Sequence, residues 1–262
     1  YSGMLPGYIA GHYDYDECHI DLGPLARFAG ARLYHAEVEG LDLDNRQVFA
    51  QGRPPVDFDL LSINTGSRPR TIDIPGAAEY AMPVKPIDRG LEQWQTLQQR
   101  VLASRGTFRM VVVGGGAGGE ELALSTQHRL RKLLAEQGDE PERLHVELLT
   151  DGDEIFSTHN AGVRRRFERI LSEHGIGLHT GHRVIEVTAD TVHCEGRDAR
   201  QADAVQWVTQ ASAPAWPAEA GLAVDEQEIG RASCRERVGV WGGGVGWGLG
   251  GGGGGGWGGG GG

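Results

Sequence analysis

The sequence has no closely spaced pair of cysteines. Cys18, Cys194 and Cys234 lie far apart. Neither a disulfide framework nor a local dithiol redox motif fits that spacing. Basic residues are also scarce. There are 25 lysines and arginines against 36 acids, a net charge of -11. Binding a phosphate backbone needs basic surface, so nucleic acid is excluded as the main partner. No apolar run reaches the about 18 residues of a transmembrane segment. The first residues, YSGMLPGYIAGHYDYDE, contain neither an initiating Met nor the basic start and apolar stretch of a signal peptide. Soluble, cytoplasmic placement is expected. The ten histidines form no HxxxH pair and no compact set with cysteine, so no metal site is expected. His179 and His182, three apart, read as surface residues at a strand end or as ligands with equal ease.

The 262 residues allow one large or two modest domains. Glycine is concentrated at the end: 19 of the 43 fall in residues 228–262, with three of the six tryptophans. From Val238 onward only Gly, Val, Trp and Leu occur. All four can be encoded with G and T alone. The preceding EIGRASCRERV resembles the translation of a short-read sequencing adapter. The competing reading is a natural Gly-rich flexible tail. Residues 228–262 are therefore expected to be a non-native, disordered Gly-rich tail. The natural chain is expected to be a fragment, cut near Gln227 and begun inside a domain.

The most informative stretch is FRMVVVGGGAGGEELALSTQHRLRKLLAEQG. Phe108–Val113 is a short apolar, β-branched run, as a buried parallel strand requires. Gly114, Gly116 and Gly119 follow in G-x-G-x-x-G spacing, with Gly115 and Gly118 between them. The pattern predicts a helix from about Gly118 to Gln137, stopped by Gly138. The next strand, HVELLTD, ends at Asp151. A dinucleotide pyrophosphate approaches the backbone at such a helix N-terminus, where free N–H groups and the helix dipole favour an anion. Side chains at the first two glycines would obstruct the turn and the phosphate, and the third allows close helix–strand packing. Asp151 reads as a ligand of the ribose hydroxyls or as a solvated acid at a strand end.

A second signal comes in duplicate. In VDFDLLSINTGSRP, Asp59 precedes Thr65-Gly66. In ADAVQWVTQASAP, Asp203 precedes Thr209 by the same six positions. Two such strand-and-turn units around one glycine motif suggest two nested nucleotide-binding domains.

These residues resemble the flavin-dependent pyridine nucleotide-disulfide oxidoreductase superfamily. The similarity is nearest to type II NADH dehydrogenase-like proteins, including modules fused to selenide, water dikinase. It rests on YSGMLPGYIAGHY, IDLGPLARFAGARLYHAEVEGLDL, DFDLLSINTGSRP, IPGAAEYAMPVKPI, VVVGGGAGGEELAL and WVTQASAPAW. The resemblance implies an α/β chain with two nested Rossmann-like FAD- and NAD(P)-binding domains, the FAD domain incomplete. Residues 1–104 are expected to be its first part, 105–215 the NAD(P)H domain, and 216–227 the start of the return to the FAD domain. The resemblance places Val38 near the FAD adenine and Thr65 and Gly66 at a second FAD turn. Glu121, the last residue of G-x-G-x-x-G-x-E, is placed near the nicotinamide. Read from the residues alone, Glu121 is an ordinary acid in a first helical turn.

The sequence departs from the family in several places. No G-x-G-x-x-G precedes residue 60, the later G-D motif is missing, and Gln210 stands where the second T-G turn has glycine. The cysteines cannot form the redox disulfide. The implied cofactors are FAD and NAD(P)H, with NADH preferred, and the implied acceptor is a small molecule such as a quinone. The hard chemistry belongs to the cofactors, so no catalytic residue is named. Arg164–Arg166 read as a solvated helix face, remote from any 2′-phosphate site. In the full-length protein a peripheral place at the inner membrane is implied. The alternative is a non-catalytic nucleotide-binding module serving a fused or partner selenide, water dikinase.

Overall fold

The computed structural model describes residues 2–64, 68–69, 74–84, 87–156, 159–208, 211–212, 216–222 and 238–240. Thr65, Gly66, Thr209 and Gln210 lie outside them. The chain begins with three short helices, α1 (Leu5–Ala10), α2 (Tyr15–Cys18) and α3 (Leu22–Phe28). An antiparallel sheet follows, built from β1 (Val38–Asp42), β2 (Gln47–Ala50) and β3 (Val56–Asp57) in that order. Next come β4 (Leu61–Ile63), β5 (Arg68–Pro69), α4 (Ala77–Tyr80), β6 (Ala81–Pro83) and α5 (Ile87–Ala103).

The central unit alternates strand and helix. It runs β7 (Phe108–Val113), α6 (Ala117–Glu136), β8 (Leu144–Leu149), α7 (Ala161–Glu173) and β9 (Gly177–His179). A three-stranded meander, β10 (Val184–Val187), β11 (Thr191–Cys194) and β12 (Arg200–Gln201), leads to β13 (Ala204–Trp207). The described chain closes with β14 (Ala211–Ser212), α8 (Trp216–Glu219) and β15 (Val238–Val240).

Five strands form one sheet in the order β6-β13-β7-β8-β9, and every pairing in it is parallel. The registers bring their carboxyl ends level. Val113 pairs with Leu149 and with Trp207, Trp207 with Pro83, and Leu149 with His179. An open parallel sheet offers its ligand crevice along this carboxyl edge. The expected boundary at 104/105 falls between α5 and β7. β6, on the other side of that boundary, joins the same sheet.

Helices cover one face and the meander covers the other. Met110, Val112, Val146 and Leu148 turn toward Leu97, Leu122, Leu130, Leu134 and Leu171 on the helices. Val111, Val113, Leu149 and Val205 pack on Val184, Val187, Val192 and Cys194 of the meander. This two-sided burial is why β7 and β8 read as near-continuous apolar runs. Each fully buried Leu contributes about 1.5–3 kcal/mol of transfer free energy. Asp203 fixes the start of β13, its carboxylate accepting the Arg109 N–H at 2.7 Å while its own N–H donates to the Arg109 carbonyl.

Helix ends follow local chemistry. The Asn160 side chain accepts from the N–H groups of Gly162 and Val163 and so starts α7. Gly138, at φ 74°, ends α6 close to where the sequence predicts. Outside the central unit, α3 buries none of its residues, and Phe28 is 91% exposed. In the tail, Val238–Val240 form a short strand parallel to Leu61–Ile63 of β4. The tail's other residues lie outside the described ones.

Candidate functional site

The glycine loop lies between β7 and α6, at the carboxyl edge of the sheet. Gly114 sits at φ 130°, a conformation open to glycine, and its N–H donates to the Leu149 carbonyl at 2.8 Å. This bond ties the loop to the end of β8. A Cβ on Gly119 would stand 1.8 Å from the Gly114 carbonyl oxygen, so the helix approaches the strand as closely as glycine permits. A Cβ on Gly115 would fall 2.6 Å from the Thr150 side chain. Gly116 differs, because nothing lies within 4 Å of the position its Cβ would take. A Cβ on Gly118 would make an ordinary contact with Val208.

Gly116 caps α6, with its carbonyl accepting from Gly119 and Glu120. The N–H groups of Gly116, Ala117 and Gly118 make no hydrogen bond to the described residues. Free N–H groups beside open space, at the positive end of a 20-residue helix, are an arrangement that favours an anion. On the far side, the Phe156 N–H donates to the Gly115 carbonyl at 3.1 Å. Phe156 holds φ 47°, a costly conformation for a side-chain-bearing residue, and packs its ring on Phe167.

The end of β8 presents two residues to this region. Thr150 is buried, and its side chain lies against Gly115. Its N–H donates to the His179 carbonyl and its carbonyl accepts from His182, which locks β8 to the β9 end. Asp151, one residue on, is exposed, and the exposed acids Asp153 and Glu154 follow it. Arg164 of α7 is engaged by Glu154 at 3.1 Å and by the His159 carbonyl.

Glu121 follows the first turn of α6 on its exposed side, and partial desolvation by the surrounding chain raises its carboxyl above the ordinary range. Its neighbour Glu120 is not among the site residues expected from the sequence. Glu120 is 0% exposed, and neither carboxylate oxygen has a hydrogen-bond partner among the described residues. Burial pushes its carboxyl up to about 8, helped by the like charges of Glu121 and Glu168. A signal was present: Glu120 lies three residues before Ala123 and 14 before Leu134, on the buried face of the helix. Thr150 gave no such signal beside an acid.

Val38 opens β1 in the antiparallel sheet, not in the sheet that carries the loop. Thr65 and Gly66 lie outside the described residues, so of the expected FAD contacts only Val38 is placed. His179 and His182 surround Arg200, which also pairs with Glu147 at 2.8 Å. Burial and the Arg200 charge hold His179 below its ordinary pKa.

A parallel sheet whose central strand feeds a tight glycine loop and a helix N-terminus defines a Rossmann-like dinucleotide-binding fold. The chain belongs to the pyridine nucleotide-disulphide oxidoreductase family, whose model matches residues 24–234. It is 26% identical over 66% of its length to the NADH dehydrogenase-like protein YutJ of Bacillus subtilis, spanning 44% of that relative. It is 27% identical to the demethylphylloquinone reductase NdbB of a Synechocystis strain, over 68% of this chain and 44% of that one. The chain thus spans less than half the length of these two relatives. NDH2 of Plasmodium falciparum, solved with NADH, superposes with a TM-score of 0.76 at 16% identity, covering 91% of this chain and 55% of that one. The sulfide:quinone oxidoreductase of Aquifex aeolicus gives 0.76 at 17% identity, over 92% and 59%. No helix among the described residues is long and apolar enough to cross a membrane.

Proposed function

We propose that this chain carries the NAD(P)H site of an FAD-dependent NAD(P)H oxidoreductase with a quinone-like acceptor. The observation that carries the reading is the open space at Gly116, faced by the free N–H groups of Gly116, Ala117 and Gly118. These groups bind and orient the pyrophosphate. Gly119 keeps the helix end close to the strand, and Gly114 ties the loop to β8. A nicotinamide held here would supply the hydride chemistry, and the flavin that the family implies would supply the electron-transfer chemistry. The described residues hold one glycine cradle at a strand–helix junction, and it is the one after β7. Val38 alone does not build a second, so the flavin assignment rests on the family.

NADH is favoured over NADPH. The segment after β8 exposes Asp151, Asp153 and Glu154, which oppose a 2′-phosphate, and Glu154 already engages Arg164. The selenide, water dikinase reading gains no support from the relatives above. Titration of NADH and NADPH into the chain, followed by nicotinamide fluorescence, tests the proposal. Saturable binding, about tenfold tighter for NADH, is expected. Absence of binding by either nucleotide would overturn it.

A further inference from the structure

Glu120 is an unusual occupant of its position. A carboxyl group with no exposure and no hydrogen-bond partner is costly to keep in its charged form. It stands in the first turn of α6, and its N–H donates to the Gly116 carbonyl at 3.3 Å. Its backbone is therefore bonded to the residue whose open side faces the anion site. The charges acting on the carboxyl are Glu121 on its own helix and Glu168 on α7, both acidic. Two basic groups on these helices are engaged elsewhere. Arg164 of α7 goes to Glu154 and the His159 carbonyl. Arg131 of α6 goes to the carbonyls of His174 and Leu144. The helix N-terminus favours a carboxylate, but burial and two like charges outweigh it.

We propose that Glu120, buried and unpartnered behind the glycine loop, is a pH-sensitive residue that weakens anion binding at the loop under alkaline conditions. The inference rests on the loop assignment made above. Glu120 lies four steps along the helix from Gly116, about 6 Å of rise. A buried charge in the first turn acts on an anion at the helix N-terminus with an affinity change on the order of tenfold. The coupling is reciprocal, so bound dinucleotide also makes Glu120 harder to ionise. The pyrophosphate does not titrate near neutral pH, and Glu120 then sets the alkaline limit of binding.

The test uses the full chain and NADH as the probe. Affinity is measured by fluorescence from pH 6.5 to 9.5 for the parent, Glu120→Gln and Glu120→Leu. Both substitutions remove the ionisable group, one keeping the shape and the other the apolar packing. At pH 6.5 all forms should bind alike. By pH 9.5 the parent should weaken about tenfold while both variants hold their affinity. Parallel pH profiles in forms that do bind would overturn this proposal and leave the loop assignment standing. Absence of NADH binding in every form at pH 6.5 would overturn both.

Discussion

Replacing Gly116 with Val separates binding from folding. Gly116 has φ -91° and ψ 172°, extended backbone that valine adopts without strain. Nothing lies within 4 Å of the added Cβ, so no packing is disturbed. The cost to folding is confined to a poorer helix cap, about 0.5–1 kcal/mol. The two methyl groups, however, fill the space in front of the free N–H groups. Loss of a single charge-assisted hydrogen bond there costs about 1.5–3 kcal/mol, which weakens NADH binding about 10- to 150-fold. Calorimetric titration reads the affinity, and a melting curve on the same sample reads the fold. Gly119→Ala should do the opposite. Its methyl would collide with the Gly114 carbonyl at 1.8 Å, so the helix must move, destabilising the fold by about 2–4 kcal/mol. A Gly116→Val protein with parental melting and parental NADH affinity would refute the reasoning, because the open space would then not be the phosphate site.

The Glu120→Gln variant should gain stability with pH. The folded pKa, about 8, lies above the ordinary carboxylate value of 4.5, so the parent's stability is full below pH 4.5 and falls as pH rises toward 8. The variant's advantage in chemical denaturation should grow across that window to roughly 2–4 kcal/mol and then level off, allowing for relaxation around the buried charge. Arg200→Met should cost about 1–2 kcal/mol, because it strands half-buried Glu147. In the same variant the His179 titration followed by NMR should shift upward, since the Arg200 charge holds it down. The Cys194 thiol is buried, and burial raises its pKa, so thiol reagents at pH 8 should modify it only on unfolding. Deleting residues 228–262 should leave NADH affinity unchanged, because β15 pairs with β4 and not with the five-stranded sheet.

The glycine junction was legible because its signals are local. An apolar run followed by three spaced glycines specifies strand, turn and helix within 12 residues, and α6 begins and ends within a residue of its expected limits. Features set by distant packing were hidden. Glu120 and Glu121 are alike in sequence, and only the covering of one helix face separates the buried acid from the exposed one. Thr150 and Asp151 differ by one step at a strand end, and the register of β8 decides which of them lies against Gly115. Asp203 read as half of a nucleotide-binding repeat, whereas its carboxylate clamps β13 to β7. The sheet order, with β6 and β13 on one side of β7, joins segments more than 100 residues apart and leaves no local trace.

The claim that Gly114–Gly119 hold a dinucleotide is tested most directly by a crystal structure of this chain grown with NADH. The pyrophosphate should lie in front of Gly116, within hydrogen-bonding distance of the N–H groups of Gly116, Ala117 and Gly118. NADH bound elsewhere, with the space at Gly116 filled by solvent, would contradict the account.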